Sequence, residues 1–202
     1  MIEPVGNLTF PSVIDATQIA TWRSCHQKSF RTYWEHWKPQ GESIHLHAGK
    51  AFAVGLEAAR TAYYVAGRDA QTATGLGFAA LTQAYGDFEW PEGSNKSLDR
   101  VQGALLYYFD HAWPLGKHGG ATPHIFPSGK HGIEFSFAMP LPYRHPVSGD
   151  PIIYAGRSDM VCDFAGGIYI EDDKTATQLG ALWAKQWDLR SQFTGYCWAA
   201  RE

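Results

Sequence analysis

A mixed α/β fold in the α+β arrangement is predicted for this 202-residue chain by three observations. Apolar residues recur at helical spacing up to about residue 114, strand-like alternation takes over after it, and the length suits one ordinary domain rather than two. The expectation is therefore a single domain over 1–202: a mainly helical part, 1–114, and a part, 115–202, holding a mixed central β-sheet and a closing helix.

Each element has its own local reason. Asp15 or Thr17 can cap a first helix that carries Ile19, Ala20 and Trp22 toward Cys25. A second passes through Phe30, Tyr33, Trp34 and Trp37 until Pro39 and Gly41 stop it. The third, from about His47, places Phe52, Leu56, Ala59, Tyr63 and Tyr64 at helical spacing and ends at Gly67. Asp69 to Tyr85 is a weaker helix, interrupted by Gly75 and Gly77. Ser97 caps the next, with Val101, Leu105, Tyr108, Phe109 and Trp113 before Pro114. Residues 115–132, rich in Gly, Pro and His, read as a long loop. Ile133 to Met139 alternates as a strand, Pro140 to Asp150 is turn-rich, and Ile152–Cys162 with Ile168–Asp173 reads as a hairpin. A helix from about Leu182 to Ala200 closes the chain.

Composition narrows the function classes. With 45% hydrophobic and 18% charged residues the chain is not an intrinsically disordered one. Lys and Arg total 17 against 20 Asp and Glu, a net charge of −3, which argues against a polybasic nucleic-acid packer. An enzyme that holds metal on carboxylates and builds a local basic groove remains compatible with that balance. Cys25, Cys162 and Cys197 are odd in number and lack C-x-x-C spacing, so reduced thiols are expected rather than a disulfide framework or zinc ribbon. Without a basic-then-apolar leader or an 18-residue apolar run, a soluble cytoplasmic protein with no membrane partner is expected. Aromatic residues reach 14%, which suits a large core, a sugar platform or a base-stacking surface.

The chemistry concentrates in Gly156-Arg157-Ser158-Asp159 and Asp172-Asp173-Lys174-Thr175. On a strand Asp172 and Lys174 share the face of Ile168 and Ile170, while Glu171 and Asp173 share the other with Tyr169. An apolar face ending in a carboxylate and an ammonium is costly unless the charges are paired or used. If the hairpin loop holds an even number of residues, Asp159 lies opposite Asp172, about 5 Å away; an odd loop, Ala165-Gly166-Gly167, sets it opposite Asp173. Two carboxylates at that spacing repel, a divalent cation between them removes the repulsion, and oxygen-only ligation selects Mg²⁺ or Mn²⁺ over zinc. Lys174 beside it can orient an attacking water, help deprotonate it and neutralise developing charge on phosphorus. An isolated D-x-K is most often a salt bridge at a strand end; the joint pattern is far rarer.

With these residues the chain resembles the PD-(D/E)XK nuclease superfamily, in its RecB-type branch, which includes phage exonucleases. Ser24-Cys25-His26-Gln27-Lys28-Ser29-Phe30 is similar to the family's opening helical segment, and Leu46-His47-Ala48-Gly49-Lys50-Ala51-Phe52 to its glycine-containing helix start. Gln192 and Tyr196 match its Q-x-x-x-Y helix. The resemblance implies a restriction-endonuclease-like core, Asp159 and Asp172 as metal ligands, Lys174 as the catalytic lysine and Mg²⁺ or Mn²⁺ as cofactor. It further implies DNA as substrate, exonuclease action in phage or bacterial recombination, replication or repair, and a protein partner from those processes.

Many RecB-type members carry a His four residues after the glycine; here that position is Ala53. Glu57, one turn further, and Glu134, on the strand before the hairpin, are the candidates to complete the metal set. The cysteine cluster that holds an iron–sulfur centre in some relatives is reduced to Cys25, so no cluster is expected. Gln192, Tyr196, Arg157, Lys28, Arg31 and Lys185 are the candidate DNA contacts. Ala53 also supports a rival reading, a DNA-binding or assembly module on the same fold with weak or lost catalysis. An aromatic carbohydrate binder explains the tryptophans but not Asp159, Asp172 and Lys174.

Overall fold

A computed structural model describes residues 10–112, 114–116, 120–176, 183, 185, 187 and 190–201. The fold is mixed α/β: a five-stranded mixed sheet with helices on either side of it in sequence, among the described residues. The chain divides into two compact units, each assembled from separate stretches: 1–40, 136–157 and 180–202 in one, 41–135 and 158–179 in the other. Both units combine helix and strand, so the change of character near residue 114 is not a boundary between them.

The first unit opens with strand β1 (Val13–Ile14) and helices α1 (Ala16–Ser24) and α2 (His26–Tyr33). Asp15 is the cap of α1, its carboxylate accepting from the Gln18 N–H at 2.7 Å. Cys25 separates the helices and its Sγ accepts from the Lys28 N–H at 3.4 Å. Strand β4 (Pro151–Phe164) supplies its first half here, with β1 parallel to it in the register Val13↔Ile153. Strand β3 (Ile133–Arg144) pairs with β4 and continues past Met139 through Pro140 and Pro142. Two residues apart, these prolines place both missing N–H donors on one edge of the strand, which is how a strand tolerates them. Of the helix expected from about Leu182 to Ala200, Trp183 and Lys185 are helical, Trp187 lies in a turn, and the last helix, α6 (Ser191–Ala199), follows; the other residues of 182–189 lie outside the described ones. α6 packs closely on β4 at Gly195, where a Cβ would meet the Tyr154 hydroxyl oxygen at 1.9 Å.

The second unit is built on α3 (Ile44–Arg60), α4 (Ala70–Tyr85) and α5 (Leu98–Tyr107). α3 and α5 each run on into a π-helical turn, Thr61–Val65 and Tyr108–Ala112. Ala48, Phe52, Leu56, Leu81, Tyr85, Leu105 and Phe109 form their common core. The glycine that weakens α4 in isolation is what allows its packing: a Cβ on Gly77 would lie 2.6 Å from the Gly55 carbonyl of α3 and 2.8 Å from Ala59 Cβ. Tertiary approach outweighs local propensity there. The stretch read as a loop holds a short strand, β2 (Thr122–Pro123), antiparallel to β4, and an Ile125–His131 bridge. Its composition hid them because each is only one or two residues long. Strand β5 (Gly167–Glu171) completes the hairpin with the second half of β4.

Candidate functional site

The site begins with a turn. Ala165 and Gly166 both adopt left-handed backbone, φ 48° and 81°, the geometry that joins antiparallel strands through two residues. An even loop follows; the ladder runs from Phe164↔Gly167 to Met160↔Glu171, and its register, continued one residue past the end of β5, sets Asp159 opposite Asp172. The even-loop expectation holds. Of the apolar floor, Ile170 pairs with buried Val161, but Ile168 is 61% exposed because none of the described elements covers the hairpin tip.

At the other end of this face the charges converge. Asp159 Oδ2 accepts a 2.6 Å hydrogen bond from the Asp173 N–H, which ties β4 to the residue after Asp172. Lys174 Nζ pairs with Asp172 Oδ2; the lysine side chain is partly exposed while the Asp172 side chain is only 2% exposed. Burial, and then the charge of Asp172, push the Asp159 carboxyl up to about 6; the Asp173 N–H and Lys174 oppose that rise. Gly49 of α3 faces the same strand end, its Cβ position lying 3.8 Å from Thr175 Oγ1. The glycine-containing helix start and the D-x-K-T segment, singled out separately in the sequence, therefore meet.

The opposite face of β5 carries a second charge system that sequence reasoning missed. Arg60, at the end of α3 and 2% exposed, pairs with Glu171 and, at 3.0 Å, with Asp173 Oδ2. Its Nη2 also donates to the Tyr108 hydroxyl at 2.7 Å, which donates in turn to Glu171 Oε1 at 3.2 Å. Burial works against the guanidinium, but Asp173, Tyr108 and Glu171 together hold its pKa above the ordinary arginine value. Burial also raises Glu171, to about 7, against the pull of Arg60, and leaves its Oε2 without a hydrogen bond. A signal was present: position 60 continues the Phe52, Leu56 stripe at the four-residue spacing, where an arginine needs a buried partner. What the sequence could not show was that the carboxylate partners lie more than a hundred residues away.

Not every predicted residue joins Asp159 and Asp172. Glu57 is exposed on α3, and Glu134 sits in β3 with φ 49°, a break in regular strand backbone. Among the described residues, no cluster of three or more His, Cys, Asp and Glu is placed to hold a metal ion, so neither glutamate completes such a set. Lys28 and Arg31 border a separate hollow of about 500 Å³ in the first unit, where Arg31 stacks on Trp37 at 4.7 Å. Gln192 donates to the Tyr196 hydroxyl at 3.0 Å, and Tyr196 is only 7% exposed, its ring against Phe137 and Gly156. The tyrosine thus packs inside its unit, while Arg157 and Lys185 are exposed.

The donor set tests well against a hard divalent cation. Two carboxylates share one face, one of them desolvated and raised by the other's charge, and a cation between them reverses both penalties. Mg²⁺ characteristically takes only one or two carboxylates and completes its shell with water and substrate phosphate oxygens, so a two-aspartate set suffices. Compared with models of protein families, with curated proteins and with solved structures, the chain shows no significant match to any of them.

Proposed function

We propose that this chain is a Mg²⁺- or Mn²⁺-dependent deoxyribonuclease that hydrolyses DNA phosphodiester bonds, acting as an exonuclease. One observation carries the reading: the two-residue turn sets Asp159 across from Asp172 on one face, with Lys174 paired to Asp172 at the strand end. Asp159 and Asp172 are the residues that would hold the metal, which when bound supplies charge stabilisation to the phosphoryl oxygens and lowers the pKa of water. Asp172 draws the Lys174 ammonium to the strand end, where its N–H groups can orient a nucleophile and neutralise negative charge as it develops. The Asp173 N–H holds the Asp159 carboxylate by one oxygen. The Arg60 network clamps the far side of the same strand.

The test is incubation with end-labelled single- and double-stranded DNA and either metal. Asp159→Asn and Lys174→Ala are each expected to lower the rate at least a hundredfold; undiminished cleavage by Lys174→Ala refutes the assignment. A second reading, a DNA-binding or assembly module with weak catalysis, is favoured by Ala53 in place of the expected histidine. Metal-independent DNA binding without cleavage of either substrate decides for that module.

A further inference from the structure

Beside the Lys174 end of the hairpin lies a cavity of about 360 Å³, entirely within the second unit. Cations outnumber anions in its lining: Lys96, Arg100 and the Asp172-paired Lys174 against Asp173, with Asn95 and Thr175. Asp173 is spoken for by Arg60, and Asn95 Oδ1 accepts from Arg100 at 2.6 Å, steering that guanidinium. Phe52, Tyr107 and Tyr108 supply aromatic walls.

Lys96 is the informative member. The residue is 6% exposed, and among the described residues its ammonium has neither a hydrogen bond nor an ion-pair partner. Burial alone holds its pKa below the ordinary lysine value. Its backbone is pinned on both sides: the N–H donates to Ser94 Oγ at 3.1 Å and the carbonyl accepts from the Tyr85 hydroxyl at 2.6 Å. The stem is enclosed while the ammonium lines the cavity, and a partly desolvated cation with no anion beside it favours an anionic occupant there. Lys96 immediately precedes α5, whose cap residue Ser97 makes no side-chain capping bond and whose first turn carries Asp99.

We infer that this cavity takes the phosphate-bearing terminal nucleotide of a DNA strand, the phosphate on Lys96 and Arg100 and the base against the aromatic wall. The volume lies within the range of small-molecule sites, about 300–1,000 Å³. A phosphate dianion satisfies the buried ammonium and accepts from a guanidinium in its fork geometry, while a base has a flat face for Tyr107, which is 63% exposed. The inference rests on the nuclease reading for its polymer, since Lys174 belongs to both the cavity and the carboxylate pair. A pocket that accommodates one nucleotide at a strand terminus gives exonuclease action a physical cause.

Calorimetric titration of the metal-free protein with thymidine 5′-monophosphate, thymidine 3′-monophosphate, thymidine and inorganic phosphate tests it. At least one monophosphate is expected to bind ten times more tightly than thymidine and than inorganic phosphate, and the favoured isomer reports the end recognised. Lys96→Met, which keeps the length of the side chain and removes its charge, should weaken that binding at least tenfold without lowering the melting temperature. Arg100→Gln, at an exposed position, should weaken it several-fold with an unchanged melting temperature. Equal binding of thymidine and monophosphates, no binding of either, or a Lys96→Met protein with unchanged affinity overturns the inference. Nucleotide binding that depends on Lys96 in a protein that cuts no DNA sinks the nuclease reading and leaves the cavity assignment. Asp159-dependent cleavage without nucleotide binding does the reverse.

Discussion

Arg60 shows how much one residue can be asked to do. It neutralises two carboxylates two residues apart, Glu171 at the end of β5 and Asp173 just beyond it, and it does so from a helix whose buried face joins an apolar core. Buried ion pairs repay their desolvation only when geometry and additional hydrogen bonds are good, and Tyr108 provides the latter. Arg60→Ala leaves Glu171 and Asp173 buried without a counter-charge, so a loss of about 3–5 kcal/mol is expected in urea denaturation at pH 8. Because Glu171 already titrates near 7, protonation relieves part of that loss, and the deficit should shrink at pH 5. An equal deficit at both pH values would mean that Arg60 acts by packing alone.

At the scale of elements, the hairpin turn decides which residues can react with which. Its parity was readable from the sequence as two options, and Ala165 with Gly166 in left-handed backbone selects one. Alanine is a poor occupant of that conformation, and glycine or asparagine suits it better. Ala165→Asn should therefore stabilise the hairpin by up to ~1 kcal/mol in thermal melts and leave metal-dependent cleavage unchanged. Inserting one glycine after Ala165 shifts the parity, separates Asp159 from Asp172 and should abolish cleavage. Cleavage at the parental rate after the insertion would show that the aspartates do not act as a pair. Legibility followed the same physics. Pairs within one hairpin, Asp159 with Asp172 and Asp172 with Lys174, depend on the alternation of a strand and could be written down in advance. Arg60 with Glu171, Gly55 with Gly77 and Gly49 with Thr175 depend on how α3 packs, which no local pattern encodes. The burial of Tyr196 was not legible for a related reason: a helix stripe does not announce whether it faces solvent or Phe137.

For the molecule as a whole, the charge balance acquires a location. The formal −3 is spread over the chain, but its costly part is the buried set Asp159, Glu171, Asp172 and Asp173, offset among the described residues by Arg60 and Lys174. Asp159 moves from 3.8 to about 6 and Glu171 from 4.5 to about 7. Both folded-state values exceed the unfolded ones, so the folded chain holds these protons more tightly. Their stabilising contribution is complete below about pH 4 and is lost as pH rises through 6 to 7. For Asp159 alone the loss is about 3 kcal/mol. The metal-free protein should accordingly melt several degrees higher at pH 5 than at pH 8, and Asp159→Asn should remove much of that difference. Millimolar Mg²⁺ acts on the same carboxylates in the opposite sense: it should raise the melting temperature at pH 8, have little effect at pH 5 where protons compete, and have none on Asp159→Asn. A Mg²⁺ shift of the same size at both pH values, or one that survives in Asp159→Asn, would move the cation away from this pair of strands.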